Sequence, residues 1–146
     1  MDYNLAKFIH IIAILGWVSS TTSMGIYFLY TLIRPPDCPQ DQLRSFYRWM
    51  VNLEALSLLV LIFAGSWMLH LIKFKFDINW LNIKLAIVFS FILPLEIINL
   101  WFVNFYIPKA EDKQRAYRIY DLFVLIVSLP LTLAILGVVY LAVFKP

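Results

Sequence analysis

The chain has 146 residues, 62% of them hydrophobic and 14% charged, with a formal net charge of +3. A soluble domain is usually about 45–50% apolar, so the composition excludes a water-soluble enzyme and indicates an integral membrane protein. The small basic excess falls in short loops, where it sets topology rather than recruiting nucleic acid, and the lone Cys38 excludes an intrachain disulfide or a clustered-thiolate metal site.

Four apolar runs, Phe8–Ile33, Met50–Ile72, Leu81–Ile107 and Leu122–Phe144, are predicted to span the bilayer. Each is near or above the ~20 helical residues that cross a hydrocarbon core of about 30 Å. Barrel strands are shorter and alternate polar with apolar residues, which these runs do not. The first run exceeds the ~7–15 residues of a signal-peptide core and lacks a small-residue cleavage site, so it is expected to stay as a mature helix. It carries His10, with Trp17 two turns on along the same face, then the hydroxyl run Ser19 to Ser23. Three prolines in Arg34-Pro35-Pro36-Asp37-Cys38-Pro39 remove backbone donors and stop the helix.

A short amphipathic approach, Gln42 to Trp49, leads to the second run. Glu54 is expected just inside it, where the helix dipole favours an acid, and Trp67 and His70 lie near its end. Phe74-Lys75-Phe76-Asp77 makes a tight link to Trp80, after which Asn82 and Lys84 open the third run. Glu96 sits near the middle of that run, two residues after Pro94 and one turn before Asn99. A buried intramembrane carboxyl is costly and is a functional candidate, with polar packing between helices as the alternative. The third helix is predicted to end at Pro108, and Lys109 to Arg115 forms a charged turn into the fourth, with Asp121 at its head and a kink at Pro130.

Links this short make successive helices antiparallel neighbours, so the expected fold is an all-α, integral membrane, up-down four-transmembrane-helix bundle in a single domain, residues 1–146. Tyr27, Tyr30, Trp49, Trp80, Trp101, Tyr106, Tyr120 and Tyr140 gather near the run ends as expected interfacial belts. No internal repeat is evident. Seven Lys and Arg lie on the side of the odd loops against five on the side of the termini. That bias predicts a multi-pass protein of the cell (plasma or inner) membrane with both termini non-cytoplasmic.

The two histidines carry the most specific chemical suggestion. His10 lies two residues inside the first run and His70 two residues before the end of the second, so antiparallel helices bring both to one membrane depth. Neutral imidazoles facing each other in a bundle core can hold haem iron from both sides. Trp17 and Trp67 would wall a porphyrin, and the Lys84 ammonium could pair with a propionate, snorkelling to the interface being its structural alternative. Nothing resembles a nucleophile-base pair, a phosphate loop or a zinc signature.

Several segments resemble the HemJ-type protoporphyrinogen oxidase family and the related CopD-like copper-resistance membrane domain. Lys7-Phe8-Ile9-His10-Ile11-Ile12 with Trp17 is similar to that family's opening histidine and following tryptophan. Trp80-Leu81-Asn82-Ile83-Lys84-Leu85 resembles its Trp-Leu-His-x-Lys-Leu motif, with Asn82 in the histidine's place, and Pro130 to Lys145-Pro146 resembles its final helix. The likeness implies a haem b-binding bundle, His10 as a ligand or catalytic histidine, Lys84 as the family lysine, and protoporphyrinogen oxidation in the enzyme itself. His70 has no counterpart in the pattern. The expectation is a haem b protein for electron transfer or porphyrin redox chemistry in the lipid bilayer, taking a porphyrin or quinone-like small molecule, alone, as a homo-oligomer or in a larger membrane complex. The alternatives are a cofactor-free accessory subunit of a respiratory or transport complex, and copper handling by the histidines with Met24 and Met68.

Overall fold

The computed structural model describes residues 2–33, 40–73 and 79–144. The proline-rich link after Arg34, the Phe74–Asp77 link and the closing Lys145-Pro146 fall outside them. The described residues are all-α with no strand, and they include four helical spans long and apolar enough to cross a membrane: Tyr3–Thr31, Gln42–Leu71, Asn79–Lys109 and Lys113–Phe144. The protein is a multi-pass helical membrane protein by length and composition. Its chain forms two compact units, Met1–Phe74 and Lys75–Pro146.

The first unit is a pair of long helices, α1 (Tyr3–Ile33) and α2 (Gln40–Leu71). α1 starts five residues before the apolar run, with the Asp2 backbone carbonyl accepting the amides of Leu5 and Ala6 at 3.1 and 3.2 Å. α2 starts ten residues before its apolar run. Leu43, Tyr47, Val51, Glu54 and Leu58 are buried at steps of three or four, so the amphipathic approach is the helix's own first turns. Lys73, at φ 49°, ends α2 in the left-handed region, with its amide donating to the His70 carbonyl at 3.1 Å.

Cross-helix contacts fix the α1–α2 register. Thr21 meets Glu54, Gly16 lies against Ser57, and His10 lies against Leu61 and Gly65. One step forward on α1 is one step back on α2. Towards the other end, Tyr27 packs edge-on to Tyr47 with centroids 6.0 Å apart, and the Thr31 hydroxyl is 3.4 Å from that of Tyr47.

The second unit holds the third and fourth spans. The third comprises α3 (Asn79–Ile87), a π-helical turn at Val88–Ile92, α4 (Leu93–Trp101), a second π-helical turn at Phe102–Tyr106, and α5 (Ile107–Lys109). Each wide turn ends two residues before a proline, Pro94 or Pro108. A proline lacks the amide for the carbonyl four residues back and its ring collides with that carbonyl; widening the turn relieves both, and the Leu93 and Ile107 amides bond five residues back, to Val88 and Phe102. These segments, Val-Phe-Ser-Phe-Ile-Leu-Pro from Val88 and Phe-Val-Asn-Phe-Tyr-Ile-Pro from Phe102, are both aromatic-rich and both close on proline.

Ala110, extended at φ −66° and ψ 131°, breaks the chain out of α5. The Lys113 ammonium donates to the Ile107 and Pro108 carbonyls at 2.9 and 2.7 Å, and the Asp112 carboxylate accepts the Arg115 amide at 2.9 Å. α6 therefore runs Lys113–Phe144, so only the end of the charged turn, Lys113 to Arg115, belongs to it, and Asp121 lies two turns inside rather than at its head. The helix passes through Pro130 without interruption. It packs against α3, the first π turn and α5. Tyr120, expected in an interfacial belt, is 1% exposed and donates to the Asn99 side-chain oxygen at 3.0 Å.

Candidate functional site

The polar residues of the first unit form a seam between α1 and α2. At one end the His10 ring nitrogen Nδ1 lies 3.1 Å from the Leu61 carbonyl oxygen. A carbonyl only accepts, so in this hydrogen bond Nδ1 carries the proton. The ring lies this close because position 65 is glycine. A Cβ there would stand 3.1 Å from His10 Cε1 and 3.4 Å from Nδ1.

Two turns further along α1, Gly16 faces Ser57, whose Oγ would be 2.9 Å from a Cβ at position 16. The Ser20 hydroxyl turns back to the Gly16 carbonyl at 2.8 Å. Next comes Thr21, whose hydroxyl donates to the Glu54 carboxylate and also lies 2.9 Å from the Trp17 carbonyl. Glu54 is 3% exposed. It stands nearly four turns inside α2, so the helix dipole, which acts within the first turn, does not account for it. The error followed from starting the helix at Met50; the three- and four-residue spacing of Leu43, Tyr47 and Val51 would have shown that it begins earlier.

His10 and His70 are not brought together. His10 is level with Leu61 and Gly65, and His70 lies five residues beyond Gly65, about 7.5 Å farther along the axis at ~1.5 Å per residue and turned roughly 140° around α2 at ~3.6 residues per turn. Opposed axial imidazoles need their nitrogens about 4 Å apart, given metal–nitrogen bonds of ~2.0–2.1 Å. The expectation of one shared depth is corrected by the early start of α1, which moves His10 inward. His70 is exposed and shares its face with Trp67 and Phe63, whose rings meet edge-on at 5.6 Å.

Trp17 is buried on the His10 side of α1, while Trp67 belongs to the far side of α2, so these two do not wall one pocket from a common face. Met24 is buried on α1 and Met68 is half-buried on α2. In the second unit Asn82 and Lys84 are half-buried on α3, and Glu96 is 6% exposed on α4 between the two π turns. Among the described residues no group of three or more His, Cys, Asp or Glu side chains could hold a metal ion.

No protein-family model, curated protein or solved structure matches this chain.

Proposed function

We propose that this is a haem b-binding membrane protein for electron transfer or porphyrin redox chemistry, with His10 as the axial ligand and His70 outside the site. The observation that carries the reading is the His10 Nδ1 contact with the Leu61 carbonyl. Ligating imidazoles are typically oriented by a backbone carbonyl or carboxylate on the other ring nitrogen, which fixes the tautomer and raises ligand basicity. The resemblance to the HemJ-type family, carried by His10, Trp17 and Lys84, supports the same residue and does not depend on His70. In this reading the iron, once bound, supplies one-electron chemistry.

Reduced-minus-oxidised spectra of the purified, haem-supplied protein test it. The wild type and H70A should show b-type bands, and H10A should lose them. Absence of such bands from folded wild type overturns haem binding, and equal loss in H70A overturns the single-histidine site.

A cofactor-free accessory subunit is the second reading. It is favoured by the way the polar groups of α1 and α2 bond one another across the helix pair, as Thr21 and Glu54 do. A colourless protein that co-purifies with a larger membrane complex supports this reading over the first.

A further inference from the structure

We infer that Gly65 is a positioning residue: by lacking a side chain it seats the His10 imidazole against the Leu61 carbonyl and locks the ring in the Nδ1–H tautomer. The tautomer claim stands on the helix pair alone, and its consequence for iron rests on the proposed function. Three observations converge. Nδ1 is within hydrogen-bond distance of an oxygen that can only accept. The two ring atoms nearest the Gly65 Cβ direction are Cε1 and Nδ1, so any side chain there pushes on the edge that makes this bond. A Cβ at Gly25 or Gly137 would meet nothing within 4 Å, whereas one at Gly16 would meet the Ser57 side chain, so position 65 is the glycine whose space an imidazole fills.

The geometry also states the size of the effect. A Cβ 3.1 Å from Cε1 requires the ring to yield by a few tenths of an ångström. Hydrogen bonds weaken steeply as distance and angle depart from ideal, so Gly65→Ala loosens the lock without removing the histidine. Imidazole released from the carbonyl can redistribute its proton between the two nitrogens. A haem held through Nε2 would then lose the constraint on its ligand's orientation and basicity.

The chain's two histidines make the test direct. In protein labelled with nitrogen-15 histidine and reconstituted in lipid without haem, H70A leaves His10 as the only ring signal. The expected result is a protonated Nδ1 and an unprotonated Nε2, converting to a mixture in H70A/G65A but not in H70A/G25A. An Nε2–H ring in H70A, or a G65A spectrum identical to its parent, overturns the inference.

A stability comparison covers the case in which G65A folds poorly. G65A should lower the unfolding midpoint with His10 present and not in the H10A background, where the space is vacant. An equal shift in both backgrounds overturns the clearance role. With haem bound, G65A should displace the b-type bands or midpoint potential while G25A leaves them in place. A wild type that binds no haem removes the proposed function and leaves the tautomer result to decide this inference by itself.

Discussion

Removing the Thr21 hydroxyl should weaken the helix pair through Glu54 specifically. The Glu54 carboxyl is 3% exposed and accepts from Thr21, whose single hydroxyl proton is also within reach of the Trp17 carbonyl at 2.9 Å. Hydrogen bonds to charged groups contribute about 1.5–3 kcal/mol in soluble proteins, but interhelical bonds in membranes average ~0.6 and reach ~1.7 kcal/mol. Sharing the proton with Trp17 places this bond within the membrane range rather than above it. A double-mutant cycle of T21V and E54L, read by reversible unfolding in mixed detergent micelles, should give a coupling of about 0.6–1.7 kcal/mol. The pair Thr31 and Glu54 serves as the control. Thr31 is ten residues from Thr21, about 15 Å along α1, so its cycle should be additive within ~0.3–0.5 kcal/mol. A Thr21–Glu54 coupling inside that same scatter would refute the claim that the bond holds the seam.

Tyr120→Phe should destabilise the second unit by about 0.6–1.7 kcal/mol through loss of its bond to Asn99, measured by the same unfolding assay. In a Pro94→Ala background that penalty should fall, because restoring the amide lets the wide turn at Val88–Ile92 tighten and rotates Asn99 away from Tyr120; an unchanged penalty would count against the proline-driven π turn. Gly16→Ala should cost less than about 1 kcal/mol in thermal unfolding, since the atom it meets, Ser57 Oγ at 2.9 Å, can rotate aside. Gly25→Ala should be neutral or stabilise by up to about 1 kcal/mol, the helix-propensity gain of alanine with nothing nearby to hit.

The four spans were legible because a bilayer demands some twenty apolar residues in a row, a constraint that sequence displays openly. Helix starts were not. α2 begins at Gln40, and its first turns carry Asp41, Arg44 and Arg48, residues that a search for continuous apolarity rejects. That ten-residue error misplaced Glu54 at a helix end, and the five-residue error at Tyr3 helped set His10 level with His70. His10 itself was legible as the singular residue of its helix, yet its partner is a backbone carbonyl, which no side-chain pattern can announce. Gly65 carries no side-chain signal in the sequence, and only the register shows that the group filling its space is an imidazole. The π turns had a readable signal, one aromatic-rich segment ending in Pro94 and another in Pro108.

Disulfide trapping of the α1–α2 register tests the central claim most directly, because that register sets His10 on Gly65 and carries His70 away. In a C38S background, G16C and S57C should close rapidly on mild oxidation. A Cβ at position 16 stands 3.6 Å from the Ser57 Cβ, within the ~3.5–4.5 Å that disulfides span. The H10C/H70C pair should stay reduced under the same conditions. Rapid closure of H10C/H70C with G16C/S57C remaining open would contradict the register and restore a site in which the two histidines face each other.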